Sequence, residues 1–123
     1  MDDWTPISDA EFGELLAAQV ASLGPGSRER YERYRVAPWR AAIRRPGSSV
    51  DESVFVVVRD GELAVFFCDV EDEFGPARLD DSGRIEEYGF VGDLTVALFA
   101  FPEGYASMRR PRDSGAQRPV SKA

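Results

Sequence analysis

Hydrophobic residues near the start of the chain recur at intervals of three and four, the spacing that places them on one face of an α-helix. Ser8 and Glu11 have the spacing of a capping box, in which each side chain accepts a hydrogen bond from the backbone N–H of the other residue. Gly24 and Pro25 are residues that end helices or prevent their continuation. The pattern therefore predicts a helix over residues 9–23. Its apolar face is formed by Phe12, Leu15, Leu16, Val20 and Leu23.

A second, shorter helix is predicted over residues 28–35, with Ser27 as its N-cap and Pro38 as its limit. The pattern then changes to alternation of apolar and polar residues, which is typical of an edge strand or a half-exposed strand. We expect this strand to cover residues 39–45. Its apolar face is formed by Trp39, Ala41 and Ile43.

The most apolar part of the chain runs from Val54 to Asp69 and is interrupted by charged residues only around Asp60-Gly61. Asp-Gly is a preferred sequence for a type I′ hairpin turn, which needs a positive φ at both loop residues. With these two residues as the loop, Val58 lies opposite Leu63, and both faces of the hairpin are apolar. Such a hairpin must be central and covered on both sides, by helices, by further sheet or by a second copy of the chain.

Two more strands are predicted over residues 74–79 and 84–88, separated by a turn. Asp93 has the position of an N-cap for a last apolar segment, which runs to Phe101 and fits either a helix or a strand. As a helix, this segment has an inward face formed by Leu94, Ala97, Leu98 and Phe101.

Together these elements predict one α+β domain over residues 1–102. Its fold is a mainly antiparallel sheet of four or five strands around the central hairpin from Val54 to Asp69, with an N-terminal helix and one or two further short helices. From Glu103 onward Gly, Pro, Ser and Arg predominate, which predicts a basic, disordered tail over residues 103–123.

The composition restricts the chemistry that the chain can carry. It has no histidine, one cysteine (Cys68) and one lysine (Lys122). A histidine-activated nucleophile, a cysteine zinc cluster and a reactive lysine in the core are therefore excluded. There is also no glycine-rich phosphate loop. We expect a protein without catalytic residues, metal or cofactor, in which Cys68 is a small buried hydrophobe.

Three features predict a soluble protein of the cytoplasm. No run approaches the ~18 apolar residues that a membrane-spanning helix needs. The acidic N-terminus differs from the basic and apolar start of a secretory signal. Since Cys68 is the only cysteine, no internal disulfide can form.

Charge is unevenly distributed along the chain, whose net charge is −7. Residues 28–45 carry seven arginines against two glutamates, interleaved with Tyr31, Tyr34 and Trp39. Such a segment could contact phosphates and stack on bases, but the acidity of the rest of the domain argues against a nucleic-acid partner. The acidic residues are concentrated after the hairpin. The candidate site residues are Asp69, Glu71, Asp72, Glu73, Asp80, Asp81, Glu86 and Glu87.

Three hypotheses for function follow. The simpler interpretation is that the acidic residues form a solvent-exposed bend after a buried strand and have no further role. The first is a non-catalytic protein-binding module that docks a basic partner, in the way that small acidic inhibitors and immunity-type proteins use charge complementarity. The second is a metal-binding protein or small enzyme that uses the carboxylates from Asp69 to Glu73. An EF-hand calcium loop is excluded there, because Phe74 and Asp80 take the positions of its glycine and its last glutamate. The third is a homodimer that covers the hairpin.

Overall fold

The structure, a computed structural model, describes residues 6–110. It is an α+β fold in which one five-stranded antiparallel sheet is combined with short helices, so the predicted fold class is confirmed. In chain order the elements are α1 (Asp9–Ala21), α2 (Pro25–Tyr34), β1 (Arg35–Arg44), β2 (Asp51–Asp60), β3 (Leu63–Cys68), β4 (Glu73–Leu79), β5 (Ile85–Tyr88), α3 (Leu94–Leu98) and a 3-10 helix (Glu103–Met108). Within the described part of the chain, no helix has the length and apolarity needed to cross a membrane.

The strands follow one another across the sheet in the order β1-β2-β3-β4-β5, and each neighbouring pair is antiparallel. The predicted hairpin corresponds to β2 and β3. Every residue of β3 is buried, as is each residue of β2 from Val54 to Val58. The prediction that both faces of this hairpin are covered is therefore confirmed.

The loop of the hairpin lies one residue later than predicted, and Val58 pairs with Val65 rather than with Leu63. Asp60 pairs with Leu63, so the loop consists of Gly61 and Glu62 rather than of Asp60 and Gly61. Only Gly61 has a positive φ in this loop, at 63°, and a single positive φ at the first loop position is typical of a type II′ turn. A bulge between Val56 and Val58 interrupts the alternation of the two faces, so that Val57 and Val58 lie in the same apolar cluster, whereas Val54 and Val56 lie in the cluster on the other face.

The helix α1 begins as predicted and ends two residues early. Ser8 and Glu11 form the capping box: the Glu11 N–H donates to Ser8 Oγ at 3.1 Å, and the Ser8 N–H donates to Glu11 Oε1 at 2.9 Å. Ser22 caps the C-terminus. Phe12 is buried and stacks on Phe55 of β2, with ring centroids 4.2 Å apart. The capping box therefore orients the apolar face of α1 onto the sheet.

The predicted boundaries of the second helix are wrong. Helix α2 begins at Pro25 with Gly24 as its N-cap, instead of at Arg28 with Ser27 as the cap. Proline suits this position because the first residue of a helix needs no hydrogen bond from its N–H, and the ring presets φ. Strand β1 starts directly afterwards, so Pro38 lies inside this edge strand and does not limit the helix.

The sheet separates two apolar cores. On one face, α1, α2 and α3 cover the cluster that contains Phe12, Phe55, Phe67 and Phe101. The other face is concave, because the sheet curls until the edge strands β1 and β5 are in contact. Ten buried apolar residues from all five strands line this concave face. They are Ala41, Ile43, Val54, Val56, Ala64, Phe66, Cys68, Ala77, Leu79 and Ile85. The hairpin is thus covered by helices on one side and by its own sheet on the other.

The last apolar segment is a helix. Asp93 caps α3 by accepting a hydrogen bond from the Val96 N–H at 3.0 Å, and the four residues predicted to face inward are fully buried. The chain continues into the 3-10 helix from Glu103, and the Arg78 side chain donates to the Met108 carbonyl oxygen at 2.9 Å. Residues 103–110 therefore pack on the domain. The rest of the predicted tail, residues 111–123, lies outside the described residues.

Candidate functional site

The eight acidic candidates form two groups separated along β4. Asp69, Glu71, Asp72 and Glu73 lie at the β3–β4 turn, where β4 begins. The other four lie on the β4–β5 turn and on β5. They are Asp80, Asp81, Glu86 and Glu87. The structure therefore does not bring all eight candidates together around one turn.

The group near β5 is largely engaged in contacts within the domain. Asp80 accepts hydrogen bonds from the backbone N–H groups of Ser82 and Arg84 and from the Ser82 hydroxyl, and the Ser82 hydroxyl bond is the main cause that lowers the pKa of Asp80. Glu86 binds Arg110 at 3.0 Å and Arg78 at 3.2 Å. The hydrogen bond from Arg110 lowers the pKa of Glu86.

Glu87 also binds Arg78, at 2.8 Å. Glu86 and Glu87 share this arginine, and their ion pairs connect β5 and the segment after the 3-10 helix to β4. Asp81 is exposed and has no cationic partner within 4.0 Å among the residues that the structure describes.

The β3–β4 turn retains more uncompensated negative charge. Asp69 accepts a hydrogen bond from the Ile7 backbone N–H at 2.8 Å, and this neutral donor leaves the carboxylate charge in place. Within residues 6–110, no arginine lies within 4.0 Å of Asp69, Asp72 or Glu73. Asp72 has a φ of 57°, a conformation that Asp tolerates better than most residues. The tip of the turn is therefore a compact acidic feature.

Arg45 lies beside the turn and is shared by two carboxylates. It contacts Glu52 Oε2 at 2.5 Å and Glu71 Oε2 at 3.0 Å. The hydrogen bond to Glu52 is the largest cause that raises the pKa of Arg45. Because two acids share one guanidinium, this cluster also keeps a net negative charge.

A cavity of about 230 Å³ opens next to this turn. Ile7, Phe55 and Val70 provide apolar surface in it. Its carboxylates belong to Asp51, Glu52 and Asp69. An apolar cavity with an acidic rim is suited to a long basic side chain, whose methylene groups pack on apolar surface while its charged end binds a carboxylate.

One cation, Arg40, also lines this cavity. Its guanidinium lies 4.4 Å from the centroid of the Phe55 ring and binds Asp9 at 2.7 Å. The charge of Arg40 is therefore compensated by Asp9, and its planar group forms part of the cavity wall.

Sequence reasoning missed Asp51 and Glu52. Both lie at the start of β2, and the antiparallel pairing of β2 with β3 brings them to the same end of the sheet as the β3–β4 turn. Asp51 binds Arg84 at 2.6 Å and Arg44 at 3.0 Å. The available signal was that two arginines, Arg44 and Arg45, are followed after a short loop by two acids, Asp51 and Glu52. Opposite charges on the two sides of a predicted hairpin are typical of cross-strand ion pairs.

Within residues 6–110, no three His, Cys, Asp or Glu side chains come together in an arrangement that could hold a metal ion. Cys68 is a buried free thiol on the concave face, and Arg45 Nη2 lies 3.6 Å from its sulfur atom. The cavity and the acidic turn beside it are therefore the features that the structure offers as a candidate site.

Models of known protein families, curated proteins and solved structures were compared with the chain, and none of them matches it.

Proposed function

We propose that this chain is a non-catalytic protein-binding module whose β3–β4 turn docks on a basic surface of another protein. The observation that carries the proposal is the cavity with an apolar lining and an acidic rim, placed beside a turn with uncompensated carboxylates. Val70, at this turn, is 52% exposed although it is apolar. Exposed apolar side chains surrounded by charge are typical of docking surfaces.

The proposed contact has two parts. A lysine or arginine of the partner packs its aliphatic portion on Ile7 and Val70, and its charged end reaches Asp69. Around this anchor, Asp72 and Glu73 attract the basic surface over a longer range and accelerate association. The cavity therefore supplies affinity, and the turn supplies the rate of encounter.

The protein class that fits this mode is the small acidic inhibitor, including immunity-type proteins that neutralise a basic toxin or nuclease by charge complementarity. The proposal includes a cytoplasmic location, where a free thiol such as Cys68 stays reduced. The alternative, a carboxylate-based metal-binding protein or enzyme that uses the acids from Asp69 to Glu73, draws no support from the geometry of the described residues.

The first experiment identifies the partner and locates its binding site. The full chain is immobilised and used to capture proteins from a lysate of its native cell, with mass spectrometry of what is retained. A variant with Asp72→Asn and Glu73→Gln removes two charges that have no ion pair to lose within residues 6–110. A matched control, Asp81→Asn with Glu14→Gln, removes the same charge elsewhere on the surface.

We expect a basic protein that the wild type and the control capture equally well. Its association with the Asp72→Asn/Glu73→Gln variant should be about tenfold slower at low salt, with a weaker dependence on ionic strength. Equal association rates for the variant and the control would contradict the assignment of the turn as the docking surface.

A further inference from the structure

The most exposed large hydrophobic side chain of the described residues is far from the acidic turn in the chain. Phe99 follows α3 and is 74% exposed, and Val96, one helical turn earlier, is 51% exposed. The opposite side of the same helix is fully buried. An adjacent aromatic and aliphatic pair on an outer face is the kind of apolar patch that marks an interaction surface.

The backbone that carries Phe99 is held firmly by its neighbours. Arg30 of α2 donates a hydrogen bond from Nη1 to the Phe99 carbonyl oxygen at 2.7 Å. The Tyr105 hydroxyl donates to the Ala97 carbonyl oxygen, and burial raises the pKa of Tyr105 to about 12, so this donor stays protonated. A protruding side chain on a fixed backbone loses little freedom on binding, which favours its use as an anchor.

A groove of about 210 Å³ lies next to this protrusion, between α2 and the start of the 3-10 helix. Arg30 belongs to both features, because it lines the groove and holds the Phe99 carbonyl. Tyr34 provides aromatic surface in the groove, and Arg33 provides a guanidinium. Aromatic rings and a guanidinium are the surfaces on which a phenyl ring stacks.

The rim of the groove carries both signs of charge. Glu29 and Glu103 line it together with Arg33. None of these three side chains has an oppositely charged partner within 4.0 Å among residues 6–110. A surface with a protrusion beside a groove, and with acids beside a base, is complementary to itself. A two-fold interface has this property, because each residue of one copy meets a different residue of the other and the contact is made twice.

We propose that this surface joins two copies of the chain in a two-fold symmetric dimer, in which Phe99 of each copy occupies the groove of the other. The Phe99 ring packs between Arg33 and Tyr34 of the second copy, and the rim acids face its arginines. The contact lies outside the acidic turn, so the dimer leaves that turn available. The dimer covers an exposed helix face, whereas the sequence had suggested one that covers the central hairpin.

The test measures the mass of the full chain by sedimentation velocity from about 1 µM to about 1 mM, a range that brackets weak and tight dimers. We expect the wild type to change from monomer to dimer within this range. Phe99→Asp should raise the dimer Kd at least tenfold. The matched control is Val50→Asp, because Val50 is 66% exposed on a different part of the surface and should leave the Kd unchanged.

Thermal melts of each variant show whether it is folded, which we expect because both side chains are largely exposed. A second variant, Arg33→Glu, places a third acid on the rim and should also weaken the dimer, with partial recovery at high salt. A wild type that stays monomeric at about 1 mM would overturn the proposal. A dimer that Phe99→Asp and Val50→Asp weaken equally would also overturn it.

Discussion

A Cβ atom at Gly75 would lie 1.8 Å from the carbonyl oxygen of Gly89 and 2.8 Å from its carbonyl carbon. These are backbone atoms of the segment that follows β5, so no side chain can rotate away to make room. The Gly89 N–H donates to the Pro76 carbonyl oxygen at 3.1 Å, which requires the two segments to approach this closely. Gly75 is therefore needed for steric reasons and not for an unusual φ.

Gly75→Ala should lower the free energy of unfolding by roughly 1–3 kcal/mol, because the backbone from Gly89 has to move away from β4. The measurement is urea unfolding followed by circular dichroism. The control is Gly13→Ala in α1, where nothing lies within 4 Å of the added atom. This change should stabilise the protein by roughly 0.5–1 kcal/mol, since Gly is unfavourable inside a helix. An unchanged stability of Gly75→Ala would show that this backbone contact is loose.

At the scale of elements, Arg45 connects the end of β1 to its neighbours. It binds Glu52 of β2 and Glu71 of the β3–β4 turn, and its guanidinium lies 5.6 Å from the centroid of the Phe90 ring. The Arg45 side chain is 28% exposed, so water screens these ion pairs less than it screens pairs on the open surface. Its removal would leave Glu52 and Glu71 as neighbouring acids without a shared cation.

Arg45→Gln should therefore lower the free energy of unfolding by about 1–2 kcal/mol. The control is Arg35→Gln, which removes an ion pair with Glu32 whose side chains are more than half exposed. This control should change stability by less than about 0.5 kcal/mol. Chemical denaturation of both variants at one ionic strength measures the difference. Equal effects would mean that Arg45 acts only as a surface charge.

The elements that the sequence predicted best have signals contained in a few adjacent residues. The Ser8–Glu11 capping box places the start of α1 correctly, and Asp93 does the same for α3. In both helices the residues that face the sheet follow from their spacing alone. These features need no knowledge of the rest of the fold, because the interacting groups lie within one or two helical turns.

The hairpin register needed tertiary information. Asp60-Gly61 fits a type I′ turn locally, but the observed loop begins at Gly61. The bulge at Val57 changes the register again further along β2, and it keeps Val57 and Val58 both in the core beneath the helices. A bulge increases the twist of a strand, which the curled sheet needs. The position of the bulge could not be predicted, because the residues of β2 around it are uniformly apolar.

The site was predictable where its residues adjoin in sequence and not where strand pairing assembles it. The acids from Asp69 to Glu73 remain together because they share one turn. Asp51 and Glu52 join them only through the β1–β2 and β2–β3 pairings. Glu86 and Glu87 of β5 lie away from this turn, because β4 stands between them and the turn. Arg78 of β4 binds both of them. Sequence proximity of charges therefore overstated the size of the acidic surface.

At the scale of the whole molecule, the curl of the sheet determines what stays buried. The β4–β5 turn leans towards β1, and a Cβ atom at Gly83 would lie 3.2 Å from the Trp39 ring. From the same turn, Arg84 reaches across to Asp51 at the start of β2 and binds both of its carboxylate oxygens. This ion pair connects two segments that are 33 residues apart and closes the concave core.

The closing ion pair should make the fold sensitive to acid. The hydrogen bond from Arg84, followed by that from Arg44, lowers the pKa of Asp51 from 3.8 to about 2. Because the pKa of Asp51 is lower in the folded state than in the unfolded state, its ion pairs stabilise the fold above pH ~4, and this contribution is lost as the pH falls towards ~2. The effect of Asp51→Asn should accordingly be largest near neutral pH.

Urea-unfolding midpoints of the wild type and of Asp51→Asn, measured between pH 7 and pH 2, check this expectation. The variant should unfold at lower urea near neutral pH, and the two midpoints should converge as the acid protonates Asp51 in the wild type. Asp72→Asn is the matched control, since Asp72 has no cationic partner within 4.0 Å among residues 6–110. A constant difference between the wild type and Asp51→Asn across this range would show that the Asp51 ion pairs do not hold the curled sheet closed, and that its apolar core keeps it closed unaided.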